Sequence, residues 1–130
     1  MAASVSIKIS PGELIDKITI LEIKLERIKE SGKLENVERE HEILTASRNG
    51  TLDTSVELDG LTAELKTVNE RLWDIEDDIR QCERKKVFAE KFIELARSVY
   101  RVNDERSRLK REINELLGSV LIEEKSYAAY

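Results

Sequence analysis

The chain contains few residues of the kinds that crosslink or interrupt a fold. Its 130 residues include one cysteine, one proline, one histidine and five glycines, and aromatic residues make up 5%. A single cysteine excludes an intrachain disulfide and fits a reducing cytosol. Residues 1–11 lack a basic start followed by an apolar run of secretory length, and no stretch approaches the ~20 apolar residues that span a bilayer. We therefore expect a cytoplasmic protein without a membrane segment.

Charge and length narrow the class of protein further. Charged residues make up 38% and apolar residues 40% of the chain, a mix that is typical of long exposed helices. The net charge of −5 attracts neither nucleic acid nor an anionic membrane, so we expect neither as a partner. A chain of this length forms one domain, residues 1–130, and its thin core favours oligomerisation.

Apolar residues at heptad-like spacing form four stripes that pair off. The two residue numbers of each facing pair add to a nearly constant value, as when Ile18 faces Leu44 or Leu65 faces Arg106. An antiparallel helical hairpin requires such a constant sum, because residue numbers increase along one helix while those of the facing residues decrease. The sequence predicts an all-α protein in which two unequal antiparallel hairpins form a four-helix, coiled-coil-like bundle. The predicted helices are 11–30 with 33–47, and 56–83 with 88–117.

Local signals set these boundaries. Ser10 can cap a helix that begins at Pro11, and glycine can end a helix in the left-handed conformation at Gly32 and Gly118. The cluster 48–51 predicts a turn. Segments 1–10 and 119–130 are predicted to be extended arms that can pair as short strands.

The fourth helix has an apolar face wider than one partner helix can bury. The first helix also has apolar residues on a second side. The neighbour at these faces is either the first helix of the same chain or a second protein, and we favour a homodimer or a helical protein partner. The candidate interface residues are Trp73, Phe92, Ile93, Tyr100, Ile20 and Ile23.

Several polar residues lie in or beside the stripes. His41 and Cys82 fall within them, which favours core packing over metal binding or nucleophilic chemistry. Asn69 and Asn103 lie level with each other in the longer hairpin. They either hydrogen-bond across it or are both solvated.

Two constellations could carry chemistry. Carboxylates at helical spacing can bind Mg²⁺ in an all-α nucleotide hydrolase; the candidates are Glu35, Glu38, Asp74 and Asp77. With 27 acidic residues in the chain, such spacings also arise by chance, so we predict no metal, cofactor or catalytic residue. Arginines on one stripe of the fourth helix can bind phosphates or anionic sugars, or be solvated; these are Arg97, Arg101, Arg108 and Arg111.

Several stretches resemble a family of short uncharacterised bacterial proteins. They are GELIDKITILE from Gly12, LWDIED from Leu72, FIELARSVY from Phe92, Asn103-Asp104, and the region from Lys110 through Gly118 to EEKSY. The resemblance covers most of the chain and implies a shared fold, with no established activity to carry over. Members of that family often have a glycine in the turn near 85–87, where this chain has Lys85, Lys86 and Val87.

These observations favour a non-enzymatic, self-associating helical interaction module. The alternatives are a Mg²⁺-dependent nucleotide hydrolase and an anion-binding module on the arginine stripe.

Overall fold

A computed structural model describes residues 3–130 of the chain and shows an all-α fold. The four helices are α1 (Pro11–Arg27), α2 (Ser31–Thr51), α3 (Val56–Lys85) and α4 (Glu90–Leu116). No strand occurs within residues 3–130, so the expectation of paired terminal strands is wrong. Val5 and Ile7 are largely exposed, because the C-terminal segment 119–130 lies beside α4 instead of beside residues 4–9.

The beginning of α1 follows the predicted capping signal. The Ser10 hydroxyl accepts a hydrogen bond from the Glu13 backbone N–H at 3.2 Å, and Pro11 occupies the first turn. Its end differs from the prediction, since α1 stops at Arg27 and Ile28 is extended. Gly32 therefore lies inside α2 and does not act as a left-handed stop.

The second boundary also moves. Residues 48–51 were expected to turn, but they continue α2 to Thr51. The connection to α3 falls instead at residues 52–55, so the Asn-Gly pair occupies the last turn of the helix although both residues are poor helix formers. The next helix begins where Ser55 accepts a hydrogen bond from the Leu58 N–H at 3.0 Å.

The break between α3 and α4 coincides with the interruption in the apolar spacing. Lys86 adopts the left-handed conformation with φ 57°. Its N–H bonds the Glu83 carbonyl at 3.2 Å, and the Val87 N–H bonds the Cys82 carbonyl at 2.9 Å. These two bonds form a Schellman motif, which normally uses glycine at the left-handed position. The same motif ends α4 at Gly118, where φ is 65°, as the sequence predicted.

Helix α1 is the central packing element. It contacts α2, α3 and α4, and α3 packs along α4, whereas α2 makes no close backbone approach to α3 or α4. The main core forms where α1 meets the α3–α4 pair. Its buried residues are Ile15, Leu58, Leu65, Val68, Val102, Leu109 and Ile113.

Candidate functional site

A buried polar cluster joins α1 to both long helices. The Asp16 side chain is 1% exposed. Its Oδ1 accepts hydrogen bonds from Asn69 Nδ2 and Arg106 Nε, each at 2.9 Å, and its Oδ2 accepts from Arg106 Nη2 at 2.5 Å. Asn69 also donates to Thr19 Oγ1 at 3.0 Å, and Thr19 donates to the Asp16 carbonyl at 2.8 Å. The carboxylate is therefore fully paired, as burial of a charge requires.

This cluster corrects the expectation for Asn69. Its amide bonds α1 and not Asn103, which is half-buried on α4. The hydrogen bond from Arg106 to Asp16 raises the pKa of Arg106, so this guanidinium stays charged. One sequence signal could have found the pair: Arg106 lies in an apolar stripe, and a charge there needs a buried partner. We infer that the cluster fixes the position of α1 on the long helices.

The start of α1 packs tightly against the end of α4. The Gly12 N–H donates to Asn114 Oδ1 at 2.7 Å, and both residues are buried. A Cβ at Gly12 would overlap the Lys110 carbonyl oxygen. Lys110 Nζ in turn donates to Glu13 at 2.7 Å. Glycine is thus required here by close approach of two backbones.

A groove of about 810 Å³ separates α4 from the C-terminal segment. Its lining includes cations, hydroxyls and aromatic rings, and all three tyrosines of the chain contribute. The lining residues used below are Arg106, Ser107, Lys110, Lys125, Tyr127 and Tyr130. A cleft of this size is within the usual range for small-molecule sites, about 300–1,000 Å³.

Polar contacts hold the C-terminal segment at both ends of this groove. At one end Glu123 lies 3.5 Å from Lys110 Nζ and 2.9 Å from Lys125 Nζ. The hydrogen bond from Lys125, with the nearby charge of Lys110, lowers the pKa of Glu123. At the other end the Tyr130 hydroxyl donates to Asp104 at 2.6 Å. The segment bridges the groove between these two contacts.

The half of the α3–α4 pair nearest the turn lacks a third helix. The polar contacts of α1 reach only to Asp74 on α3 and Arg106 on α4, within residues 3–130. Beyond them, apolar side chains that face a partner helix remain half-buried or exposed. We call this the turn-end surface; it comprises Ile79, Val87, Phe88, Phe92, Ile93 and Leu95.

The predicted interface residues fall into three environments. Phe92 and Ile93 lie on the turn-end surface, and Phe92 packs edge-on against Phe88 with ring centroids 5.2 Å apart. Trp73 is half-buried under the Arg27 guanidinium at 5.8 Å. Tyr100 packs against Tyr130, with centroids 5.0 Å apart.

The two candidates on α1 are covered by the chain itself to different degrees. Ile20 is half-buried, whereas Ile23 is 1% exposed. Ile23 therefore belongs to the core of the chain and is not available to a partner.

The four carboxylates proposed for Mg²⁺ do not converge. Glu35 and Glu38 lie on α2, which does not approach the helix that carries Asp74 and Asp77. Asp74 instead pairs with Arg27 at 2.6 Å. Within residues 3–130 no three His, Cys, Asp or Glu side chains are grouped to hold a metal ion. The four carboxylates therefore do not form one site in this structure, because they lie on two helices that do not approach each other.

The arginine stripe is largely paired with acids. Arg97 bonds Glu94 at 3.0 Å, and Arg108 bonds Glu112 at 3.1 Å. Arg111 lies 3.4 Å from an oxygen of Glu115 and of Glu124, whereas Arg101 makes no ion pair within residues 3–130. The neighbouring Tyr100 hydroxyl and the Glu94 carboxylate raise the pKa of Arg97. Exposed pairs of this kind are typical of a solvated helix surface.

The helices and their packing define an all-α helical-bundle protein. None of the described helices is long and apolar enough to cross a membrane. A family described as a family of unknown function (DUF6165) matches residues 5–130, and the chain belongs to this family. No curated protein and no solved structure matches the chain.

Proposed function

We propose that the protein is a non-enzymatic interaction module that self-associates as a homodimer through its turn-end surface. One observation carries the proposal. The apolar stripe of α3 and α4 continues beyond the end of α1, and in that part of the stripe no third helix covers the apolar side chains. Ile93 remains 53% exposed and Phe88 50% exposed there. Full burial of each large apolar side chain contributes about 1.5–3 kcal/mol before ordering costs. Several such side chains are enough for a specific interface.

The total surface supports a partner. The chain exposes 9271 Å², whereas a compact monomer of its mass is expected to expose about 7,000 Å². The arms 3–9 and 119–130 account for part of this excess, and the uncovered half of the long helices for another part. A standard interface buries about 800 Å² on each partner, which a surface of this extent can supply.

Within each copy we propose that α1 with α2, and α3 with α4, form antiparallel hairpins, the longer one with coiled-coil-like packing. The pairs along α3 and α4 support this arrangement. At the turn the Val87 backbone N–H donates to the Cys82 carbonyl, and further from the turn the Arg71 side chain pairs with Glu105 at 3.0 Å. The partner's residue number rises as the α3 number falls, as in an antiparallel pair.

Charge along α3 favours a two-fold arrangement of the copies. The exposed acids Asp77 and Asp78 lie within the uncovered half of α3, and the exposed bases Arg84 and Lys85 lie at its end by the turn. If two turn-end surfaces pack antiparallel, the basic turn of each copy lies beside the acids of the other. Such complementarity guides orientation more than it adds affinity. The result is a four-helix interface between two long hairpins.

We propose the cytoplasm as the compartment. The one cysteine, Cys82, is buried on α3 with a free thiol, and a reducing compartment keeps a thiol in this state.

The interface is tested with a matched pair of substitutions. Ile93→Asp places a charge on the turn-end surface, whereas Ile43→Asp makes the same change on α2 at a residue that is 60% exposed. Light scattering should give a dimer for the unchanged chain and for Ile43→Asp, and a monomer for Ile93→Asp. The opposite pattern would assign the interface to α2.

A charge exchange tests the orientation. Asp77→Lys with Asp78→Lys should weaken the dimer, because bases at these two positions in one copy then face Arg84 and Lys85 of the other. Adding Arg84→Glu and Lys85→Glu to this variant should restore the dimer. If the fourfold variant is no tighter than the double variant, the two-fold arrangement is wrong.

A further inference from the structure

We propose that the groove between α4 and the C-terminal segment binds a small molecule in which an acidic group is attached to a flat ring, and that Glu123 occupies the position of that acidic group in the present structure. This site is separate from the turn-end surface, and a smaller pocket beside the groove is lined by Glu123 together with Arg108 and Arg111 of the arginine stripe. The site does not depend on self-association.

Three cations converge on the groove. Arg106 and Lys110 lie one turn apart on α4, and Lys125 faces them from the C-terminal segment. Arg106 is held rigidly, since its Nε and Nη2 both bond the buried Asp16. Its Nη1 makes no hydrogen bond within residues 3–130. A guanidinium fixed in this way presents a donor to an acid at little entropic cost.

The acidic side chains that pair with these three cations differ in how easily a ligand could displace them. Asp16 and Glu13, which pair with Arg106 and Lys110, belong to the packed helix α1. Glu123 belongs to the C-terminal segment, bridges Lys110 and Lys125, and is itself 45% exposed. An incoming acid can therefore replace Glu123 without unpacking a helix.

Aromatic rings supply the second part of the site. Tyr127 is 79% exposed and Tyr130 76% exposed, although both line the groove. Tyr130 packs against Tyr100, and Lys125 Nζ lies 6.0 Å from the centroid of the Tyr127 ring. The remaining exposed ring faces can stack on a flat ring. Ser107 also lines the groove, and its hydroxyl makes no hydrogen bond within the described residues.

Because all three tyrosines line this groove, tyrosine ring signals in NMR spectra report directly on it. The probes are phenyl phosphate and benzoate, with benzyl alcohol as the uncharged control. We expect one or both acids to shift the tyrosine signals saturably, and benzyl alcohol to bind at least about tenfold more weakly. Comparison of the two acids shows whether the site prefers a phosphate or a carboxylate.

Two exposed positions test the role of Glu123. Glu123→Gln should tighten binding of the preferred acid about tenfold, because the competing carboxylate is removed. Lys125→Gln should weaken it by a similar factor. Glu124→Gln is the matched control, since Glu124 pairs with Arg111 and not with Lys110 or Lys125. Far-ultraviolet circular dichroism confirms that each variant is folded.

The proposal is overturned if neither acid shifts the tyrosine signals in the unchanged chain or in Glu123→Gln. It is also overturned if benzyl alcohol binds as tightly as the acids, or if Glu123→Gln and Glu124→Gln have equal effects.

Discussion

Removal of the Asp16 carboxylate should destabilise the fold more than any substitution on the exposed helix faces. The carboxylate accepts three hydrogen bonds, two from Arg106 and one from Asn69. Asp16→Ala leaves both donors without this partner. Loss of one member of a buried ion pair costs about 3–5 kcal/mol. Since the Arg106 side chain is 30% exposed and regains some water, we expect about 3 kcal/mol, the lower end of that range.

The coupling between the two charges gives a sharper test. Asp16→Leu with Arg106→Met replaces the pair by apolar side chains, which is often nearly neutral for a buried pair. We expect the double variant to recover most of the stability lost in Asp16→Leu, with a coupling free energy above about 2 kcal/mol. Asn69 keeps its bond to Thr19 in this variant.

Urea unfolding followed by circular dichroism measures these free energies. All variants must be compared at one protein concentration, because self-association is linked to unfolding. Asp16→Ala should have a lower midpoint at an unchanged slope. A cost below about 1 kcal/mol for Asp16→Ala, the worth of an ordinary hydrogen bond, would refute the reasoning, as would strict additivity of the two single variants.

Three further predictions concern the backbone and the C-terminal segment. Gly12→Ala should lower the free energy of unfolding by about 2–3 kcal/mol in urea unfolding, because the new Cβ would overlap the Lys110 carbonyl; an unchanged midpoint would contradict this close approach. Lys86→Gly should raise thermal stability by up to about 1 kcal/mol, and Gly118→Ala should lower it similarly, because both positions are left-handed; calorimetry on the pair checks the opposite signs. The pKa of the Glu123 carboxyl, measured by NMR titration, should lie below about 4.3, the ordinary glutamate value. The stability that its ion pairs supply is therefore present above the unfolded pKa and is lost as the pH falls through the folded pKa. A titration midpoint at the ordinary value would contradict the pairing.

Periodicity and glycine chemistry predicted much of the fold. The interruption near 83–87 located the break between α3 and α4, because a continuous helix cannot keep its apolar stripe on one side through Lys85 and Lys86. Gly118 located the end of α4. Both features are local, so the sequence around them carries the information.

The boundaries near 28–32 and 48–51 could not be predicted in the same way. Gly32 and Gly50 resemble stop signals, yet both lie within α2. Glycine in a helix costs only about 1 kcal/mol relative to alanine, which a longer helix and its packing can offset. A single glycine is therefore a weak stop signal by itself.

The candidate sites depended on contacts across long sequence separations. Asp16 meets Arg106 and Asn69 only after α1 has packed on both long helices, and spacing within any one helix does not reveal that meeting. The groove is similarly hidden, because it forms when segment 119–130 returns along α4. By contrast, the turn-end surface followed from helix lengths alone: α1 is shorter than α3 and α4, so part of their apolar stripe must remain uncovered.

The mass of the unchanged chain in solution tests the central claim most directly. Sedimentation equilibrium at low micromolar concentration should give twice the chain mass of 15.0 kDa, because the turn-end surfaces of two copies bury each other. A mass equal to that of one chain, maintained up to the highest concentration that stays in solution, would contradict self-association.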